Sequence, residues 1–283
     1  MGSELLPPNT ASSSSAEVDV VLPPPPTGRY RTTPFETPSM PPGTIYIVSN
    51  EAAERFSFYG MKAILIIFLQ NHMRGSDGQP IAMSEAEARE YYHLFVMASY
   101  GTPLLGALLA EVVFGKYATI MGFSLVYCGG HLALGVSEAP PGVALGLGLI
   151  ALGAGGIKPC VSANLGDQFG SRNQHLVSGA FSYFYIAINL GAFLSTLITP
   201  PLLANAGSHI AFGVPGVLMA IATLVFWCGR SSYTHVPPWG RGFLREACTR
   251  RGGATIGRLC VLYLFVAVFW SLYDQTSSAW CVA

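Results

Sequence analysis

Charge is what this sequence most lacks. Only 11% of its 283 residues are charged, against about 25% in a soluble globular domain, which argues against an ordinary soluble enzyme. Fifteen Lys+Arg cancel fifteen Asp+Glu, so no bulk field draws the chain to nucleic acid or to an acidic surface. Catalytic signatures are missing as well. No Ser sits in GxSxG, and neither HExxH nor a phosphate-cradling GxxxxGK[ST] occurs, so the residues imply no enzyme and no cofactor. The six cysteines, Cys128, Cys160, Cys228, Cys248, Cys260 and Cys281, form no CxxC pair and have no His at ligand spacing. They read as small buried side chains, not as a disulfide framework or a metal site.

What the chain has is apolar length. Hydrophobic residues make up 51% of it and its mean hydropathy is +0.44, which points to a bilayer. The first 44 residues stand apart, with a Ser run at Ser12 to Ser15 and a Pro run at Pro23 to Pro26. Such a segment buries too little apolar surface to offset its ordering entropy and reads as a disordered tail. It has no basic region followed by an apolar core, so it does not resemble a cleaved signal peptide. The remaining 239 or so residues hold six or seven spans of about 20 residues, not twelve. Spans are expected at about 45–70, 92–114, 119–137, 142–164, 177–199, 209–229 and 258–281. Residues 45–229 thus form a six-helix bundle, 230–257 an Arg-rich linker and 258–283 a seventh span. The fold class is all-α, because only helices or closed barrels satisfy the backbone in lipid and runs this long are helical.

Basic residues set the orientation. Arg29, Arg31, Lys116, Arg172, Arg230, Arg241, Arg245, Arg250, Arg251 and Arg258 fall on one side of this arrangement, and Arg74 and Arg89 on the other. The positive-inside rule then makes the amino terminus and the linker cytoplasmic.

Ionisable residues inside spans cost several kcal/mol unless they meet a partner or water, so they are functional candidates. Glu51, Glu54, Arg55, Phe58, Tyr59 and Lys62 share one helical stripe of the first span, which is expected to face the bundle interior. Glu51 and Arg55 stand four apart and can pair, which leaves Glu54 needing a cation from another helix, and Lys158 in the glycine-rich fourth span is the expected supplier. Asp274 is the buried acid of the seventh span. Pairing that changes with protonation makes such a cluster a proton relay. Snorkelling to the interface suits Lys62 and Glu111, but not four charges on one stripe. Tyr185 and Asn189, four apart, and the stripe Trp270, Asp274 and Ser277 offer polar and aromatic groups to the same cavity. The glycines of the third and fourth spans read as close helix packing.

These residues carry a resemblance. Asn50-Glu51-Ala-Ala-Glu54-Arg55-Phe56-Ser57-Phe58-Tyr59-Gly60 resembles the ExxER motif of the proton-dependent oligopeptide transporter family, within the major facilitator superfamily. The likeness continues, in order, through Gly155-Gly156-Ile157-Lys158-Pro159, Phe184-Tyr185 to Asn189-Leu190-Gly191, and Phe269-Trp270 to Tyr273-Asp274-Gln275. The loop from Gly106 to Lys116 is similar to the superfamily's loop between spans two and three, with Glu111 where Asp is usual.

The resemblance implies a twelve-helix transporter in two six-helix halves, each of two inverted three-helix repeats, carrying small peptides with protons. It implies proton coupling at Glu51, Glu54, Arg55, Lys158 and Asp274, and substrate binding at Arg55, Tyr59, Tyr185, Asn189 and Trp270. Partners are then small peptides, protons and the lipid bilayer, with no nucleic acid. Beyond Trp280 the sequence departs from the family's pattern and spans eight to twelve are missing, so a C-terminal half is an expected further partner and this chain alone is not expected to transport. Two alternatives remain at this level: a family member carrying another small anionic or zwitterionic solute, and a non-transporting membrane protein that works through its tail and linker.

Overall fold

A computed structural model of the chain describes residues 30–75 and 77–275. Its helices are α1 (Thr44–Asn71), α2 (Glu85–Leu109), α3 (Lys116–Val136), α4 (Pro140–Gly166), α5 (Val177–Ala206), α6 (Ser208–Cys228), the short α7 (Arg241–Ala247) and α8 (Arg250–Gln275). Apart from an isolated bridge between Arg74 and Pro80, the described residues hold no β-structure. Among the described residues, six helical stretches, those of α2 to α6 and α8, are long and apolar enough to cross a membrane. With 28 residues α1 is as long as they are, and it falls outside that group because it carries the four charges of the first stripe. The chain is a multi-pass membrane protein.

Three boundaries differ from the sequence expectation. First, α2 begins at Glu85, where Ser84 and Glu87 form a reciprocal capping box that satisfies orphan backbone donors. Its apolar pattern starts later than the helix does. Second, α5 runs through Pro200-Pro201, expected to be a break, and ends only at Ala206. Proline is tolerated in spanning helices when neighbouring groups re-satisfy the freed carbonyls, and Gly207, at φ 84°, is where the chain actually turns. Third, α8 starts at Arg250, so the stretch expected as a linker already contains α7 and the first turns of α8.

Packing within α1 to α6 has an internal symmetry. The main contacts join α3 with α4, α1 with α5, α2 with α4, α3 with α6, and α1 with α6. Exchanging α1, α2, α3 for α4, α5, α6 maps this set onto itself: α1·α5 becomes α4·α2, α3·α4 becomes α6·α1, and α3·α6 is its own image. That is the contact pattern of two three-helix repeats related by a pseudo-two-fold axis. By contrast α8 packs, among the described elements, against α7, and its described side chains are exposed.

Small residues bring the helices together. A Cβ on Gly106 of α2 would lie 2.5 Å from the Gly155 carbonyl oxygen of α4 and 2.6 Å from Gly156 Cα, so the two backbones touch there as small-residue packing in membranes requires. Beside this contact the Thr102 hydroxyl donates to the Ala151 carbonyl of α4 at 2.8 Å. Ser57 of α1 likewise donates to the Pro215 carbonyl of α6 at 2.8 Å.

The two ends of the bundle are tied differently. At one end Glu138, between α3 and α4, gathers Arg74 at 3.1 Å, the Ser208 hydroxyl and His209 at 3.7 Å. At the other, Lys116 at the start of α3 pairs with Asp167 at 2.9 Å and Glu111 at 3.6 Å. Residues 30–42, expected to be a free tail, have no regular structure yet are held on this second end. The Ser39 carbonyl accepts from Asn173, the Arg31 carbonyl accepts from the His235 backbone at 2.8 Å, and Tyr30 stacks on His235 at 4.6 Å.

Candidate functional site

The first-span stripe is buried as its spacing predicts: Glu51 is 4% exposed, Glu54 0% and Arg55 7%. Arg55 lies between the two acids. Its Nε forms an ion pair with Glu51 Oε1 at 3.0 Å and its Nη2 one with Glu54 Oε2. One guanidinium therefore serves both carboxylates, which its fork of five donors allows and a lysine would not match.

This corrects the expected Glu54–Lys158 pair. Glu54 already has Arg55, and among the described residues Lys158 makes no ion pair. The Lys158 ammonium lies instead 3.9 Å from the centroid of the Phe58 ring and 5.2 Å from that of Tyr100. It remains within electrostatic reach of Glu54, Glu51, Arg55 and Lys62. The sequence expectation assigned Arg55 to Glu51, four residues away, and so left Glu54 without a cation; the long guanidinium reaches both acids.

Lys62 belongs to the same constellation. Snorkelling seemed sufficient for it at the sequence level, yet it is half-buried, with its ammonium 5.7 Å from the Phe58 ring, 5.9 Å from Tyr59 and 5.7 Å from Tyr92. Phe58, itself 1% exposed, thus has three cations around it: Lys158, Lys62 and Arg55, the last at 5.7 Å. An aromatic face attracts cations through its quadrupole, at about 0.5–2 kcal/mol each. Tyr92 and Tyr100 on α2, and the fully buried Tyr127 on α3 within electrostatic reach of Glu54 and Arg55, complete the surroundings. Nothing in sequence spacing singled out these three tyrosines, since each reads as one more aromatic in an apolar run.

The α5 residues lie elsewhere than in the packed interior. Tyr185 is 68% exposed, and Asn189 is exposed with its side-chain amide donating to the Tyr185 carbonyl at 2.7 Å. Phe184 is buried instead. Tyr185 and Asn189 therefore present a polar stripe on the surface of the six-helix bundle, on the helix that packs along α1. The side chains of Trp270 and Asp274 lie outside the described residues.

Chemically, the site places three cations against two carboxylates in surroundings from which water is largely excluded. With both carboxylates ionised the cluster keeps one positive charge in excess, which favours a neighbouring anionic group.

Residues 117–251 match the profile described as POT family. The chain is 38% identical to solute carrier family 15 member 2 of Danio rerio over 288 residues, covering 85% of this chain and 39% of that protein. It is 37% identical to solute carrier family 15 member 1 of Homo sapiens, covering 85% and 41%, and 35% identical to peptide transporter family 1 of Drosophila melanogaster, covering 85% and 38%. Among solved structures, the POT family transporter PepTSo superposes with a TM-score of 0.66 at 42% identity, over 84% of this chain and 48% of that one. A peptide transporter POT in complex with alafosfalin gives a TM-score of 0.64 at 28% identity, over 82% and 48%. The chain spans about two-fifths of the length of these curated relatives.

Proposed function

Because the chain belongs to the POT family, we propose that it supplies the first six spans and part of the seventh of a proton-coupled symporter of di- and tripeptides. The observation that carries this reading is Arg55 held between Glu51 and Glu54, with Lys62 and Lys158 beside it. A peptide carries a carboxylate at one end. With both acids ionised Arg55 is engaged; when one is protonated, the guanidinium is freed to meet that carboxylate, with the two lysines adding charge. Protonation thus prepares the site for substrate, and substrate leaving returns Arg55 to the acids, which then release the proton. Tyr59, Tyr185, Asn189 and Trp270 contribute shape and hydrogen bonds to the peptide, and Asp274 is a second protonation site. The amino terminus faces the cytoplasm, in keeping with the basic residues on that end.

The test uses a chimaera that joins this chain to the remaining spans of the Danio rerio relative, reconstituted in proteoliposomes. A labelled dipeptide accumulates under an inward proton gradient in the wild-type chimaera. Glu54→Gln loses gradient-driven accumulation while keeping exchange of internal for external peptide, and the retained exchange shows that the variant is folded. Gradient-driven accumulation that is unchanged in Glu54→Gln or in Lys158→Ala overturns the coupling role.

A further inference from the structure

We propose that the cleft where the amino-terminal segment meets the end of α6 binds the phosphate of an anionic lipid headgroup between Arg31 and Arg230. The cleft has a volume of about 290 Å³ and is lined by Tyr30, Arg31, Cys228, Arg230 and Ser231. Its two guanidiniums come from segments about 200 residues apart in sequence and are brought together by one residue. The His235 backbone N–H donates to the Arg31 carbonyl at 2.8 Å, its ring stacks on Tyr30, and its Nε2 meets the Arg230 carbonyl at 2.7 Å.

Both guanidiniums are free of acids. Neither Arg31 nor Arg230 takes part in an ion pair among the described residues, whereas Arg74 and Arg89 at the far end are each paired, with Glu138 and Glu85. Each instead lies over an aromatic ring, Arg31 at 4.3 Å from the centroid of Phe35 and Arg230 at 4.0 Å from that of Trp227. A ring face attracts the cation without neutralising its charge, so the guanidinium keeps N–H donors for an anion. Arg230 spends one of them on the Trp227 carbonyl at 3.0 Å, which fixes the direction of the rest. Two oriented, unpaired forks match a phosphate, which arginine recognises through parallel N–H···O bonds.

Depth decides the source of that phosphate. Trp227 is 48% exposed in the last turn of α6, where an indole settles at the headgroup level of a bilayer. A site at this level, on the basic end of the bundle, meets lipid headgroups before it meets soluble anions, and basic pockets at span ends hold such headgroups.

Native mass spectrometry of the full chain tests this, after release from mixed micelles with equal amounts of phosphatidylglycerol and phosphatidylcholine. The wild type retains phosphatidylglycerol in preference. At about 1 kcal/mol per basic residue near a membrane surface, the double variant Arg31→Gln/Arg230→Gln loses that preference by on the order of thirtyfold. Arg89→Gln, at the opposite end, keeps it. If the double variant fails to fold, the single variant Arg31→Gln, which lies outside every helix, carries the same expectation at about fivefold. A preference that persists without these arginines, or that Arg89→Gln removes equally, overturns the site. Displacement of the lipid by an equal concentration of inorganic phosphate assigns the cleft to a free anion and overturns the lipid assignment.

Discussion

Arg55 is the residue on which the buried cluster depends. Removing one partner of a buried ion pair leaves an uncompensated charge and costs about 3–5 kcal/mol, whereas removing the whole set for apolar or neutral groups is often nearly neutral. Arg55→Leu is therefore expected to lower the melting temperature in detergent markedly. The triple variant Glu51→Gln/Glu54→Gln/Arg55→Leu should recover most of that loss. A single and a triple variant with equal melting temperatures would mean that Arg55 acts through packing, not through charge. The sequence made Glu51, Glu54 and Arg55 legible because one helical period puts them on one face. The Lys158 partnership was not legible, since a period fixes the direction of a Cβ and says nothing about where a long, flexible side chain ends. The same holds for Lys62, whose aromatic surroundings are assembled from two helices.

Helices α2 and α4 meet where neither has a side chain to spare. Gly106→Val would drive two methyl groups into the Gly155-Gly156 backbone, and overpacking of this kind costs about 1–3 kcal/mol, more where the obstacle is backbone. A lower melting temperature for Gly106→Val than for Gly101→Val, whose Cβ meets open space, checks this. The segment after α6 responds to pH instead. Burial lowers the His235 pKa from its ordinary 6.5, while its bond to the Arg230 carbonyl works the other way and is the smaller effect. The folded arrangement thus prefers the neutral ring, whereas the free segment binds a proton near the ordinary value. Docking of residues 30–42 is accordingly complete above that value and weakens as pH falls through it. The hydrogen-exchange protection factors of the backbone N–H groups between Arg31 and Ser39, corrected for intrinsic exchange, should fall on acidification in the wild type and lose this dependence in His235→Gln. Helix ends were read from sequence only where a glycine or a charge marks them. Pro200-Pro201 misled because proline ends helices in water far more reliably than inside a packed span.

Across the whole molecule, the imbalance of unpaired arginines between the two ends is the clearest physical asymmetry. It predicts that a membrane-impermeant maleimide modifies Cys248, exposed between α7 and α8, from the cytoplasmic side of sealed vesicles. A cysteine introduced by Asp77→Cys in the exposed α1–α2 loop should react from the opposite side; the reverse pattern would invert the orientation. The number and order of the first six spans were legible because apolar run length is a property of the chain alone. The way the helices contact one another was not legible in the runs themselves and came only through the family resemblance, since it follows from side-chain fit between segments far apart in sequence.

That contact pattern has a further consequence. Under the exchange of its two repeats α1 and α4 are equivalent, yet α1 carries Glu51, Glu54, Arg55 and Lys62 while α4 carries Lys158 alone. With both acids ionised, one helix is neutral where its counterpart holds a single positive charge. One added proton makes the two equal. The two helices thus occupy equivalent places in the contact pattern and differ by one unit of charge, and a proton on Glu51 or Glu54 is what closes that difference.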